Sequence, residues 1–386
     1  MALKHNPKKI MVFVDWFTPG YKGGGPIQSC RNFTEALKED FDIYLVTSDR
    51  DLGDAAPYPA LALNTWIQKD GVQIYYATLE KLTLATLRGL VIEVKPAYLY
   101  LNSMFSYKLT LLPLLLRTPR QIGCQVVLAP RGMLQEGAIR FKRPKKIGVI
   151  RLLKLSGIPK RLVFHATDKQ EEKDIRKYFP EARNIFLAPN FPKPDQIGWE
   201  AAPKEAGRLR CIFLSRVSPK KNLLFFLKVL QEIPESIRID FSIYGEVEEQ
   251  DYWQKCKAVM AEMPASVNVR YQGAVNNQDI FEVYKGVHVF VLPTLGENFG
   301  HAVFEALLAG KPVVISDKTP WQHLAEARVG FDIPLSQPGR FREAVEQFAQ
   351  MTQTEYNEWS HAAAGFAQAY RNNKSIKEPY LKVFVP

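Results

Sequence analysis

The amino-acid sequence predicts two doubly wound α/β domains in tandem, and three observations predict it. Short β-rich runs alternate with helix-length amphipathic segments from end to end, the signature of βαβ units and parallel sheets. The alternation breaks once, over residues 188–208 (APNFPKPDQIGWEAAPKEAGR), where four prolines and few periodic apolar residues read as a linker. A chain of 386 residues also suits two domains better than one or three.

Taken in order, KIMVFVDW is the first strand, followed by a Gly-rich turn and the helix IQSCRNFTEALKE. The strands DIYLVTS, VQIYY, AYLYL, QVVLA and LVFHA continue the first domain. Past the break, strand LRCIFLS leads to helix NLLFFLKVLQEI, then strand RIDFSIYG and helix DYWQKCKAVMAEM. Strand VNVRYQG, helix DIFEVYKG, strand VHVFVLP, helix GHAVFEALLAG and strand KPVVIS complete the second sheet. The expected division is a domain over residues 1–190, a linker over 191–206, a second domain over 207–371, and a tail over 372–386 packing back toward the first domain. Open parallel sheets bind ligands at the carboxyl ends of their strands, so the chemistry is expected in the loops that follow strands, at a cleft between the domains.

Composition removes several classes. With 46% hydrophobic, 24% charged and 12% aromatic residues, the chain is neither disordered nor low-complexity nor a coiled coil. No apolar run approaches the roughly 18–20 residues that span a bilayer. The longest, Leu109–Leu116, is short and contains Pro113. The start, MALKHNPKKIMVFVDW, has no long apolar core of a signal peptide, so it reads as the first strand of a cytoplasmic protein. Cys30, Cys124, Cys211 and Cys256 lie far apart with no CxxC pair, which argues for reduced packing thiols and against a zinc site. The net charge of +11 is local: residues 117–183 carry 17 Lys+Arg against 6 Asp+Glu, and the remainder is neutral.

Four segments carry candidate chemistry. In the first βα turn, DWFTPGYKGGGPIQSC, Gly24 and Gly25 precede Pro26 at a helix start, which suits either a platform for phosphate or sugar or a plain flexible turn. The pattern is neither G-x-G-x-x-G nor a P-loop. In FLSRVSPKKN, Arg216 and Lys221 flank a Ser-Pro helix start and suit a diphosphate, or form a solvated basic turn. In LPTLGENFGHAVFEALLAG, a strand ends before Glu297, and Gly300 opens a helix whose second turn carries Glu305 in an otherwise apolar face. The backbone at Asn298, Phe299 and Gly300 suits a phosphate at that helix start. The loop after QVVLA reads Pro130-Arg131-Gly132-Met133, and Arg131 is a candidate for an anionic donor, acceptor or leaving group. His165, ending LVFHA, is a second candidate there, with a structural role the commoner one for a lone strand-end histidine. Asp49-Arg50-Asp51 spells D-x-D but stands far from the other groups, so it reads as charged turn residues and no metal site is expected.

GENFGHAVFE resembles the E-x7-E motif of retaining glycosyltransferases of family 4, the glycosyl transferases group 1, with Glu297 and Glu305 as the two acids. SRVSPKKN is similar to that family's basic pair and GGGP to its N-terminal Gly-rich loop. SIYG, YQGAV, APN and APRGMLQEGAIRFKRPKK extend the likeness over essentially the whole chain. The resemblance implies the GT-B fold, two Rossmann-like domains facing a cleft, and transfer of a hexose from a nucleotide sugar. It implies that Arg216 and Lys221 hold the leaving diphosphate, Glu305 the ribose and Glu297 the donor sugar hydroxyls. Asn298, Phe299 and Gly300 would add backbone contacts, and the backbone at Val275 would lie near the base. No cofactor or metal is expected, and the donor is a UDP- or GDP-sugar. Members of the family often carry a histidine in the N-terminal domain near the reacting sugar, and Arg131 stands in that loop here.

No nucleophile is evident, so same-face attack by an acceptor hydroxyl is expected over a covalent intermediate. Alanine at Glu297 or Lys221 is expected to cost activity far more than stability. The stretch over residues 140–161 mixes Lys/Arg with Ile, Val and Leu at helical spacing, which suits an anionic membrane surface or a solvated basic face. With the membrane option, the acceptor is a glycan or a lipid-linked one, in surface polysaccharide or glycolipid biosynthesis, at the inner face of the cytoplasmic membrane. Nucleic acid is not expected, because no recognition motif is present. Two other classes remain, a nucleotide-sugar epimerase of the same fold and a non-catalytic basic binding protein.

Overall fold

The computed structural model describes residues 7–116, 118–140, 142–193, 199–200, 202–275 and 279–384. Residues 194–198 and 201 of the expected linker and Phe141 of the basic stretch lie outside the described residues.

The chain forms two units, Met1–Phe191 together with Lys374–Pro386, and Pro192–Asn373. The first unit is built on eight strands: β1 (Lys9–Phe13), β2 (Asp42–Ser48), β3 (Trp66–Lys69), β4 (Val72–Ala77), β5 (Tyr98–Leu101), β6 (Gln125–Leu128), β7 (Val163–Ala166) and β8 (Asn184–Leu187). Their order is β3-β4-β2-β1-β5-β6-β7-β8. Strands β1, β5 and β7 are buried at nearly every position, as sheets covered on both faces by crossover helices require. The sheet is parallel except at one edge, where β3 pairs antiparallel with β4. Asp70 and Gly71, both at positive φ, make the two-residue turn between them, an Asp-Gly hairpin signal that the sequence carries and the alternation pattern hid.

The second unit holds β9 (Arg208–Leu214), β10 (Arg238–Tyr244), β11 (Val267–Gly273), β12 (Val289–Leu292), β13 (Val313–Ser316) and β14 (Gly330–Ile333). The order is β11-β10-β9-β12-β13-β14, with every pairing parallel. In each sheet the order reverses at one strand. Strand β1 lies between β2 and β5, and β9 lies between β10 and β12. The loops that follow these strands therefore diverge to opposite faces and leave room between them for a ligand.

The chain returns to the first unit through the helix Glu378–Phe384, whose apolar side is aromatic. Tyr380 stacks on Phe191 at 4.5 Å between centroids and donates to the Pro189 carbonyl at 3.0 Å. Phe384 meets Phe33, Phe41 and Tyr98 edge-on, and Lys377 pairs with Asp40 at 2.5 Å. Tyr380 and Phe384 are each at most 1% exposed, so the tail is part of the core of that unit.

Two buried histidines constrain stability. His288, just before β12, accepts from the Arg210 N–H at 2.9 Å through Nδ1 and donates through Nε2 to the Pro203 carbonyl at 2.9 Å. Burial and the neighbouring cations Arg210, Lys204 and Lys311 push its pKa from 6.5 down to about 3. His165 is shifted well below its ordinary range by burial and by Arg131. The unfolded chain therefore binds more protons than the folded one below the ordinary histidine pKa, and stability falls as pH falls. The free energy of unfolding is expected to hold above pH 6.5 and to drop by about 1.4 kcal/mol per group per pH unit beneath it. Urea unfolding from pH 7.5 down to 5 checks this, with His288→Gln expected to show a shallower slope.

Candidate functional site

Two loops of the second unit face each other across the point where its strand order reverses. The loop after β9 carries Arg216 to Asn222, and the loop after β12 carries Pro293 to Gly300. Backbone and hydroxyl groups stitch them together. The Lys220 carbonyl accepts from the Leu295 N–H at 2.8 Å and from Thr294 Oγ1 at 3.1 Å. A third loop, after β13, joins through Ser316 Oγ to the Thr294 carbonyl at 2.6 Å and through the Glu297 N–H to the Lys318 carbonyl at 2.9 Å.

This scaffold places Lys221 Nζ at 2.6 Å from Glu297 Oε1, with side-chain exposures of 13% and 11%. Burial alone would push the Glu297 carboxyl up. The charges of Lys221 and Lys220, with hydrogen bonds from Lys221 and Thr294, outweigh it and hold the carboxyl below its ordinary range. Glu297 is therefore an anion at neutral pH, with an ammonium fixed beside it. Glu305 lies one element further on, in the second turn of the helix His301–Leu308, 6% exposed among Val303, Phe304, Ala306, Leu307 and Leu308.

The helix start beside Glu297 is shaped by Gly300 at φ 77°. A Cβ there would lie 3.3 Å from Val303 and 3.4 Å from the Trp321 ring, in a backbone region L-residues avoid. No side chain caps this helix, so its first N–H groups keep the donor character of every helix start. Trp321 pins the loop from below. Its Nε1 donates to the Phe299 carbonyl at 2.5 Å, and its ring packs on Phe304, Phe299 and Tyr370. Asn298 is half-buried and Phe299 buried. Val275 follows the edge strand β11 and packs partly buried against the core, and its neighbours 276–278 lie outside the described residues.

Arg216 occupies the same loop as Lys221 but is paired with Glu248, Nη1 to Oε1 at 2.8 Å, and both side chains are about two-fifths exposed. The loop after β10 brings Glu248 there. Gly245, at φ 138°, comes so close to Ser215 that a Cβ would lie 1.9 Å from the Ser215 carbonyl oxygen. The Val217 N–H reaches the Glu246 carbonyl at 2.8 Å, and the Glu248 N–H the Val217 carbonyl at 3.1 Å. Sequence reasoning missed Glu248 and Trp321. The acidic run GEVEEQ after strand RIDFSIY was the available signal for the first.

In the first unit Gly24 is the N-cap of the helix Gly25–Leu37, with φ 62°, Pro26 in the first turn and no side-chain cap. The Gly-rich loop is tied down by Asp51, which accepts from the Tyr21 N–H at 2.6 Å and the Lys22 N–H at 2.9 Å. Asp49 pairs with Arg50 at 2.8 Å. Asp51 thus staples the Gly-rich turn while Asp49 holds Arg50 of its own loop, and among the described residues no cluster of His, Cys, Asp and Glu is arranged to hold a metal.

Arg131 and His165 meet in one buried network. His165 Nε2 donates to the Ala188 carbonyl at 2.7 Å, which leaves Nδ1 to accept from Tyr100 Oη at 2.6 Å. Tyr100 Oη in turn accepts from Arg131 Nη2 at 2.9 Å. His165 is 0% exposed with both ring nitrogens satisfied, so it positions Tyr100 and does not itself reach a ligand.

The basic stretch folds mainly as the helix Arg143–Ser156. Ile150 and Leu153 are buried, while Leu152, next to Arg151, and Leu155, next to Lys154, stand 72% and 86% exposed. Among the described residues no helix is long and apolar enough to cross a membrane.

Residues 200–365 match the family model described as Glycosyl transferases group 1. An uncharacterized glycosyltransferase of Methanocaldococcus jannaschii is 25% identical over 175 residues, 42% of this chain and 44% of that protein. The chain spans less than half the length of the curated relatives it matches. Among solved structures, sucrose-phosphate synthase from Thermosynechococcus elongatus superposes with a TM-score of 0.70 at 15% identity, covering 98% of each chain. The Anabaena protein HepE, solved with UDP and glucose, gives a TM-score of 0.68 at 14% identity, covering 97% of this chain and 99% of that one. These likenesses establish the GT-B fold.

The near-complete burial of Lys221 and Glu297 changes what substitution at either is expected to do. Removing one partner strands the other's charge, so Lys221→Ala and Glu297→Ala should each cost about 3 kcal/mol of stability in addition to function. The double variant should lose much less than the two singles together, and a denaturant double-mutant cycle checks this.

Proposed function

We propose that this chain, whose residues 200–365 match the glycosyl transferases group 1 model and whose fold is GT-B, is a family 4 glycosyltransferase, retaining and metal-independent. It moves a hexose from a nucleotide sugar to a hydroxyl of a glycan or lipid-linked acceptor in surface polysaccharide or glycolipid biosynthesis. The observation that carries the reading is the ion pair of Lys221 with Glu297, set beside an uncapped helix start where the strand order reverses.

In that reading the donor diphosphate lies on the helix start, contacted by Lys221 and the backbone of Asn298, Phe299 and Gly300. Glu297 holds hydroxyls of the sugar and Glu305 the ribose. As the sugar–phosphate bond loosens toward an oxocarbenium-like state, negative charge grows on the diphosphate, where the fixed cations stabilise it. The acceptor hydroxyl attacks on the face from which the diphosphate departs, and the leaving phosphate oxygen takes its proton. Arg216 exchanges Glu248 for the diphosphate when the donor binds, so Glu248 competes with it for the guanidinium. UDP is the favoured nucleotide, because the Anabaena neighbour was solved with UDP and with UDP-glucose.

The helix Arg143–Ser156 supports a location at an anionic membrane surface. Two exposed leucines flanked by cations insert apolar area while Lys and Arg pair with lipid phosphates.

A melting-temperature panel of UDP, GDP, ADP and their sugars tests the donor site, since a ligand bound only to the folded state raises the transition by mass action. One nucleotide should shift the wild type, with the shift lost in Lys221→Ala and Glu305→Ala and enlarged in Glu248→Gln. If no nucleotide acts, or if the shift survives in Lys221→Ala, the site is wrongly placed. Sedimentation with phosphatidylglycerol-containing vesicles tests the membrane face. Binding should fall with salt and with Leu152→Ser/Leu155→Ser, and equal binding to neutral vesicles would count against it.

A further inference from the structure

The network around Arg131 is more elaborate than a strand-end loop needs. Arg131 closes the turn after β6 at φ 55°, a backbone region that non-glycine residues adopt at a cost and that clusters at ligand sites. Its Nε donates to Asn102 Oδ1 at 2.6 Å, its Nη2 to Tyr100 Oη at 2.9 Å and its Nη1 to Asn190 Oδ1. These partners come from the ends of β5 and β8, and His165 at the end of β7 fixes Tyr100 in turn. All of them are neutral. Glu171, the acid nearest in the loop contacts, spends its oxygens on the Gly132 N–H at 2.6 Å and on the N–H and Oγ1 of Thr167. The charge of Glu171 acts on Arg131 from beyond these contacts, while the guanidinium's own hydrogen bonds among the described residues go to neutral groups.

A guanidinium drawn into a protein is costly when none of its N–H groups donates to a charged oxygen, and Glu171 compensates it only without a direct hydrogen bond. A second, independent feature points the same way. Asn102 is 2% exposed, and because Arg131 Nε is a donor its partner must be the amide oxygen, which leaves the Nδ2 group buried with no acceptor. Buried donors without acceptors are rare and call for a specific explanation. The cation and the orphaned amide stand side by side, and neither donates to a charged oxygen.

We propose that Arg131 and Asn102 form an oxyanion site in the first unit, which takes a phosphate group. The inference rests on the glycosyltransferase reading only in naming the source, which is taken to be a phosphate of the acceptor or a free ion. Arg131 is half-buried, and Tyr100, Asn190 and His165 hold the fork in place beforehand.

Asn102→Asp is the deciding variant, because it gives Arg131 a counter-ion of its own and removes the orphaned donor without removing any member of the network. Arg131→Gln is expected to lose stability together with binding, so it does not decide alone. Melting curves with inorganic phosphate, compared with chloride at equal ionic strength, should show a phosphate-specific rise in the wild type. The rise should persist in Lys221→Ala and vanish in Asn102→Asp, while the nucleotide shift of Asn102→Asp stays that of the wild type. A larger rise with α-glucose 1-phosphate than with phosphate would place the group on the acceptor, and an equal rise would make it a free ion. No phosphate-specific rise in the wild type, or a rise intact in Asn102→Asp, overturns the proposal. Loss of the nucleotide shift in the wild type with the phosphate response retained would count against the donor reading and leave this site standing.

Discussion

The ion pair of Lys221 with Glu297 ties the loop after β9 to the loop after β12, and the local architecture of the second unit follows from the need to hold it. A carboxylate that is 11% exposed stays ionised because the charges of Lys221 and Lys220, with hydrogen bonds from Lys221 and Thr294, outweigh its desolvation. That balance requires the two loops to keep a fixed separation. Hydrogen bonds from Leu295 and Thr294 to the Lys220 carbonyl set it, and the indole of Trp321 supports the loop from beneath. The same geometry places the start of the helix His301–Leu308, which has no side-chain cap, beside two fixed charges of opposite sign.

The two units treat their cations in contrasting ways. In the second, both Lys221 and Arg216 are matched to a carboxylate, one buried and one at the surface. The buried pair is rigid, whereas the exposed pair of Arg216 with Glu248 contributes little on its own and can rearrange. In the first unit Arg131 is held by amides and a phenol alone. A cation already neutralised must exchange partners to bind an anion, and one surrounded by neutral acceptors need not. Preorganisation in the first unit and exchange in the second are two solutions to placing positive charge at the carboxyl ends of parallel strands.

Much of the fold was legible because a parallel sheet buries its strands on both faces and writes them as short continuous apolar runs. LRCIFLS, VHVFVLP and KPVVIS all became central strands of the second sheet. The edge hairpin β3–β4 was not legible in the same way, since Trp66–Lys69 is only half-buried and carries no strong pattern. At the site, Glu297, Lys221 and Glu305 stood out as charges embedded in apolar or turn sequence. Glu248 and Trp321 did not, because their importance comes from which loop they touch. Asp49 and Asp51 spell a motif, yet Asp51 staples the Gly-rich turn and Asp49 pairs with Arg50.

The sequence by itself determined the α/β class, the division near the proline-rich break and the residue types that carry charge at strand ends. These follow from periodicity and turn chemistry, which are local. The tertiary structure alone decided that Lys221 and Glu297, 76 positions apart, share one ion pair, that Arg216 pairs with Glu248, and that His165 is a buried support for Tyr100. It also decided that Arg131 donates only to neutral groups and that Asn102 has a donor to spare. The order of strands in the sheets sets those contacts, and strand order is a property of how distant segments pack. No stretch of the chain read alone contains it.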